Sequence, residues 1–137
     1  MTNGSLAESY MLKASKRLKV LHVLLEEEAY SDVVREAQEV VELALKGVLR
    51  QVGVEPPRWH DVGGILREHR ERLPPDAARE VDRLARISAA LRKDRELSFY
   101  GDIDFIPTEH YTREHAQQAL DGAAWVVSVA ATVIGSR

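Results

Sequence analysis

The chain has no cysteine. A disulfide framework, a thiolate zinc site, a thiol nucleophile and thiol redox chemistry are therefore excluded, which fits a reducing cytoplasm. Long apolar runs are also missing. The longest, "GAAWVVSVAATVIG", begins just after Asp121 and is too short to span a bilayer, so it reads as a buried core helix. The opening "MTNGSLAESYMLKASKRLKV" lacks the basic, apolar and small-residue succession of a secretory signal, and the expected location is cytoplasmic, with no membrane involvement. There is no basic excess: 19 Lys and Arg face 22 Asp and Glu, a formal net charge of -3. Wholesale nucleic-acid affinity is thereby disfavoured, while a local basic face could still bind phosphate. No segment alternates strictly between apolar and polar residues, so strands are not expected. Neither a GxxxxGK loop nor a GxGxxG turn occurs, which removes the familiar triphosphate cradles.

What is present is helical periodicity. With 137 residues, 45% of them hydrophobic and 30% charged, the chain suits one globular domain over residues 1–137 with a real core. A first helix opens with Ser5 and Glu8 in capping-box register and carries Leu6, Tyr10, Ala14, Leu18, Leu21 and Leu25 on one stripe. A second, with Ser31 as N-cap, shows apolar residues on two adjoining stripes, Val33 to Val48 and Val34 to Val52, as the central helix of a bundle would. Gly53 is its expected C-cap, and "EPPRW" cannot continue it. "HDVGGILREHR" reads as a short third helix whose Gly63 and Gly64 permit close backbone approach. A fourth turns Ala77, Val81, Leu84, Ile87 and Leu91 inward, and a fifth, capped by Thr112, turns Ala116, Leu120, Ala123, Val127, Ala130 and Ile134 inward. The expected fold is all-α: an antiparallel up-and-down four-helix bundle with an additional short helix.

The segment "RKDRELSFYGD", residues 92–102, departs from this plain pattern. Extending the seam of the fourth helix by steps of three and four runs through Ser88, Leu91 and Arg95 to Ser98, so Arg95 follows the core-facing stripe. A guanidinium there must be paired or open onto a cleft, because an unpaired buried charge costs several kcal/mol. Asp102 or a glutamate of the second helix could serve as its partner. The plainer alternative is an internal salt bridge at the end of the bundle. Arg92, four residues before Glu96, has a solvated helix-surface pair as its default, and Phe99 and Tyr100 suit wedges closing the bundle end.

The succession "YSDVVREAQEVVELALKGVL", "HDVGGIL", "LRKDRELSFYGD" and "YTREHAQQAL" resembles the HEPN family, small helical bundles first described as nucleotide-binding domains, over almost the whole chain. The resemblance implies a homo-oligomer, dimer or higher, with a minimal nucleotidyltransferase as partner and RNA or nucleotide as ligand, and it implies no cofactor. In ribonuclease members an arginine followed closely by a histidine lines a cleft between protomers. By that likeness Arg95 takes the arginine position, while Tyr100 stands where the histidine would be and no histidine follows before His110. Histidine, with a reference pKa of about 6.5, suits proton transfer in metal-independent RNA cleavage, and tyrosine, at about 10, suits it poorly. Arg95 could still hold a phosphate, and Tyr100 could hydrogen-bond or stack on a base. Binding survives this departure better than catalysis.

The leading expectation is therefore a binding module whose nucleotide or RNA site comprises Arg92, Arg95, Tyr100 and Asp102. The competing ones are a toxin-like endoribonuclease using Arg95 with Tyr100 or His110, and a purely structural interaction bundle. Metal chemistry has little footing. His60 beside Asp61 is a lone pair, His22 and His69 have no evident ligand partners, and His110 and His115 straddle a loop-to-helix boundary without sharing a helix face. No histidine has a glutamate three residues before it, which excludes the di-iron bundle motif. Trp59 and Trp125 read as packing residues.

Overall fold

Thr2 starts the first helix, because its hydroxyl oxygen accepts the Ser5 amide N–H at 3.0 Å and so satisfies one of the free donors of the first turn. Helix α1 accordingly spans Asn3–Glu26, one turn earlier than a cap at Ser5 would give. The structure is a computed structural model and describes residues 2–58, 61–99, 101–103 and 105–135, with only the backbone within 96–99.

The end of α1 is a Schellman turn. Glu28 N–H donates to the Leu25 carbonyl at 3.0 Å and Ala29 N–H to the Leu24 carbonyl at 2.9 Å, which requires Glu28 to adopt a left-handed φ of 59°. So tight a turn leaves no room for Ser31 to cap the next helix. Helix α2, Tyr30–Gln51, starts with Ala29 at the N-cap and no side-chain cap, while Asp32 supplies a carboxylate to its first turn and Ser31 is buried. Helix α2 ends in the same turn type as α1. Gly53, at φ 80°, donates to the Arg50 carbonyl and Val54 to the Leu49 carbonyl, at 3.1 and 2.9 Å.

The connection after α2 carries three short pieces. Helix α3, Val62–Glu68, is capped by Asp61, whose Oδ1 accepts the Gly63 N–H at 3.0 Å. A single 3-10 turn follows at Arg70–Arg72, and α4, Pro75–Ala78, begins with a proline at its first position, where no N–H is needed. Asp82, in the first turn of helix α5, Val81–Phe99, accepts Arg67 Nε at 3.1 Å and Arg70 at 2.8 Å, which pins the connection to the bundle. The fourth helix expected from the sequence is thus two, because a tightened turn, with Glu80 N–H donating to the Ala77 carbonyl at 2.9 Å, separates α4 from α5.

After α5 comes a reversal in which Asp102 and Phe105 exchange backbone hydrogen bonds of 2.8 and 3.0 Å. Helix α6, Pro107–His110, leads into α7, Arg113–Ile134. Helix α7 has a full capping box: the Thr112 hydroxyl accepts the His115 N–H at 3.3 Å, and His115 Nδ1 accepts the Thr112 N–H at 3.1 Å.

The long helices α1, α2, α5 and α7 form the antiparallel four-helix bundle that the periodicity predicts, and α3, α4 and α6 are accessories. Short turns fix α1 against α2, while Ile87 near Gly122 and Asp94 beside His115 set α5 antiparallel to α7. Helix α2 is buried on both stripes, from Val33 to Val48 and from Val34 to Leu49, as its width of apolar pattern requires. Burying such stripes stabilises by roughly 1.5–3 kcal/mol per large side chain. Trp125 packs half-buried against the core, with the Arg83 guanidinium 3.9 Å above its ring, so it is covered within its own chain. Among the described residues no helix is long and apolar enough to cross a membrane.

Candidate functional site

Helices α2 and α5 meet along a seam that carries paired charges. Glu39 and Glu42 lie three residues apart on α2, and Arg92 and Arg95 lie three apart on the antiparallel α5. Arg95 lies 2.7 Å from Glu39 Oε1, and the positive charge of Arg92 acts on Glu42. Glu42 also accepts hydrogen bonds from Gln38, at 2.6 Å, and from Lys46, at 3.1 Å. Burial works to raise the pKa of Glu42, but those two hydrogen bonds and the charges of Lys46 and Arg92 outweigh it, so its carboxyl lies below the ordinary value.

Arg95 follows the seam as its spacing predicts, but it is not buried. Its side chain is 45% exposed, and its partner is a glutamate of the second helix, not Asp102. The reason is position: the seam opens toward solvent one turn past Leu91, the last buried residue of α5 among those described. Asp102 is exposed and occupied by its own turn, where its carboxylate accepts the Ile103 N–H. Tyr100 and His60, singled out in the sequence, lie outside the described residues, as does Trp59.

Beside this charge seam, α5 and α7 diverge over a cleft of about 230 Å³ floored by Val34 of α2. Its apolar walls include Leu91 and Ala119, and Asp94, Tyr111, His115 and Gln118 bring polar groups to it. Burial, followed by the neighbouring Asp94 carboxylate, pushes the Tyr111 phenol above its ordinary pKa, which keeps it a neutral hydrogen-bonding group. Because His115 Nδ1 accepts the Thr112 N–H, its neutral ring carries the proton on Nε2. Sequence reasoning passed over this cleft, because Asp94 and His115 are far apart along the chain and only the antiparallel crossing of α5 and α7 unites them.

His110 and His115 are nearer than their positions suggest. They share no helix face, yet the turn between α6 and α7 stacks their rings with centroids 5.5 Å apart and planes 11° from parallel. Phe105 lies against His110 at 4.4 Å, and Tyr111 meets both histidines edge-on. No group of three or more histidine, cysteine, aspartate or glutamate side chains suited to a metal occurs among the described residues.

A basic residue at the open end of one seam and an adjoining cleft thus sit on a small all-α helical bundle. Residues 7–132 match the family model described as the HEPN domain, and the chain belongs to the HEPN family. That family is associated with nucleotidyltransferase partners and with ribonuclease activity. No curated protein and no solved structure matches the chain.

Proposed function

We propose that this protein is a HEPN binding module, one cytoplasmic domain over residues 1–137, that forms homo-oligomers, works with a nucleotidyltransferase and contacts RNA or nucleotide through Arg95. The exposure of Arg95 carries the reading. Its guanidinium lies 2.7 Å from the Glu39 carboxylate and its side chain is 45% exposed, so it is oriented on a surface that a phosphate can reach. Arg92 adds a second positive charge one turn earlier, and the cleft lined by Asp94, Tyr111 and Gln118 offers apolar walls and polar groups to what the phosphate carries. Asp102, in the turn after α5, and Tyr100 complete the set by their places in the sequence.

The test is binding of a mixed RNA pool to the pure protein, beside Arg95→Ala, in metal-free buffer. Retention by the wild type and loss in the variant supports the reading. Equal retention by both overturns it and favours a structural interaction bundle.

One observation favours a second reading, an endoribonuclease. His115 lines the cleft and the His110 ring stacks on it, and imidazole is the side chain suited to proton transfer near neutrality. Here Arg95 would stabilise the phosphate while His110 moved the proton. Arg95-dependent products ending in 2′,3′-cyclic phosphate support this reading, and intact RNA after incubation with folded protein rejects it.

A further inference from the structure

The cleft between α5 and α7 holds two polar groups that the fold leaves unused. Asp94 is half-buried on its wall and makes no hydrogen bond or ion pair with a described residue. Tyr111 lines the same cleft and is only 6% exposed, and its hydroxyl likewise has no hydrogen-bond partner among the described residues. After burial, the Asp94 charge is what holds this phenol above its ordinary pKa, so the two groups are neighbours. A buried polar group without a partner is destabilising, and so is a carboxylate set among apolar side chains such as Leu91 and Ala119. Asp94 also stands next to Arg95 in the chain, where its charge repels any phosphate that approaches. The fold gains nothing from Asp94 that offsets these costs, but a ligand in the cleft can.

The chemistry of the walls narrows that ligand. An ionised Asp94 only accepts hydrogen bonds, and it offers two oxygens side by side. The neutral Tyr111 hydroxyl and His115, whose Nε2 carries the proton, can donate, and the Gln118 amide can do either. At about 230 Å³ the cleft is smaller than the roughly 300–1,000 Å³ that encloses a drug-sized molecule, so it suits one flat ring system and not a whole nucleotide. Unpaired bases are read on their Watson–Crick edges. On guanine that edge presents two adjacent donors, N1–H and the N2 amino group, which match the two oxygens of a carboxylate, and then O6, which accepts. Adenine and cytosine place a ring-nitrogen lone pair next to their amino group, and the single N–H of uracil lies between two carbonyls. Each of those three bases brings an acceptor against Asp94.

We propose that the α5–α7 cleft is a guanine site, in which the Asp94 carboxylate accepts N1–H and the N2 amino group of the base and the donors of Tyr111, His115 and Gln118 are left for O6. The proposal rests on the reading of Arg95 as a phosphate contact and names the base that such a ligand carries. Asp94 and Arg95 are consecutive on α5, so the guanidinium turns toward Glu39 of α2 while the carboxylate turns toward α7. Repulsion between Asp94 and phosphate lowers the affinity for every nucleotide, and two charge-assisted hydrogen bonds restore it for guanine alone. Asp94 is therefore a specificity-determining residue, and Arg95 is not.

Equilibrium dialysis of the full chain against GMP, IMP and AMP at one salt concentration tests it, beside oligouridylate strands carrying a single central guanine or adenine. IMP keeps N1–H and O6 and lacks only the N2 amino group, so its comparison with GMP reads one of the two bonds to Asp94 by itself. GMP is expected to bind at least about tenfold more tightly than IMP or AMP. Asp94→Asn should abolish that preference while raising the affinity for AMP, a gain that loss of folding cannot produce. A guanine preference that extends to the strands assigns the site to RNA, and one confined to GMP assigns it to a free nucleotide; both support the proposal. Equal binding of the three nucleotides overturns it, as does a preference unchanged in Asp94→Asn. Strands retained alike, and lost in Arg95→Ala, overturn the guanine site and leave the Arg95 reading standing, whereas failure of every nucleotide and strand to bind overturns both.

Discussion

The Arg95 guanidinium lies 2.7 Å from the Glu39 carboxylate, on the exposed side of the seam between α2 and α5. This pair is half open to water, so it contributes no more than about 1 kcal/mol to stability, and its main effect is on the local field. Glu39→Gln removes the competing negative charge while preserving shape. The expected outcome is a few-fold gain in RNA or nucleotide affinity with thermal stability nearly unchanged, whereas Arg95→Ala loses about tenfold or more. Titration at fixed low salt measures both, and a loss of affinity in Glu39→Gln would contradict the role given to Arg95.

Helix α3 is seated by a close contact between backbones. A Cβ built on Gly63 would lie 2.7 Å from the Ala85 Cβ and 2.8 Å from its Cα, whereas one on Gly64 meets nothing within 4 Å. Gly63→Ala must therefore push α3 off α5 and is expected to cost about 1–3 kcal/mol. Gly64→Ala only improves helix propensity and is expected to stabilise by up to about 1 kcal/mol. Urea denaturation of the two variants should move the midpoint in opposite directions.

The bundle was legible because its information is periodic. The stripes from Ala116 to Ile134 and from Val33 to Val48 are buried as read, and Thr112 and Gly53 mark the ends assigned to them. The starts of α1 and α2 were misread because Ser5 and Ser31 are good caps in isolation, while Thr2 and the three-residue turn at 27–29 decide the register. The partner of Arg95 was half legible: the three-residue spacing shared by Glu39 with Glu42 and by Arg92 with Arg95 is visible in the chain, but their pairing needs the antiparallel crossing. The cleft beside Asp94 arises only from tertiary geometry, and the His110–His115 stack depends on the conformation of the short turn between α6 and α7, which helical periodicity does not encode.

Glu28 holds a left-handed φ of 59° that a residue with a Cβ adopts at a cost. Gly53 performs the same task at the end of α2 without that cost. Glu28→Gly should therefore stabilise the protein by up to about 1 kcal/mol, despite the greater freedom it gives the unfolded chain, and it also removes a negative charge from a helix C-terminus. A thermal melt that falls instead of rising would show that the Glu28 side chain makes a compensating contact.

Acid should weaken the seam between α2 and α5 through Glu42. Burial alone would raise its pKa, but hydrogen bonds from Gln38 and Lys46 and the charges of Lys46 and Arg92 lower it below 4.5 in the folded protein. A carboxyl whose folded pKa lies below its unfolded one contributes stability that is fully present above the unfolded value. That contribution is lost as pH falls from about 4.5 through the folded pKa, where the folded state must take up the proton that the unfolded state already holds. Denaturation midpoints measured from pH 7 down to pH 3 should therefore be flat near neutrality with respect to this group and fall below about pH 4.5. Glu42→Gln should be less stable at pH 7, because Lys46 loses its charged partner, and should show a shallower acid limb. An acid limb as steep in the variant as in the wild type would assign the loss to other carboxylates, of which Asp82, lowered by hydrogen bonds from Arg67 and Arg70, is the first to examine by Asp82→Asn.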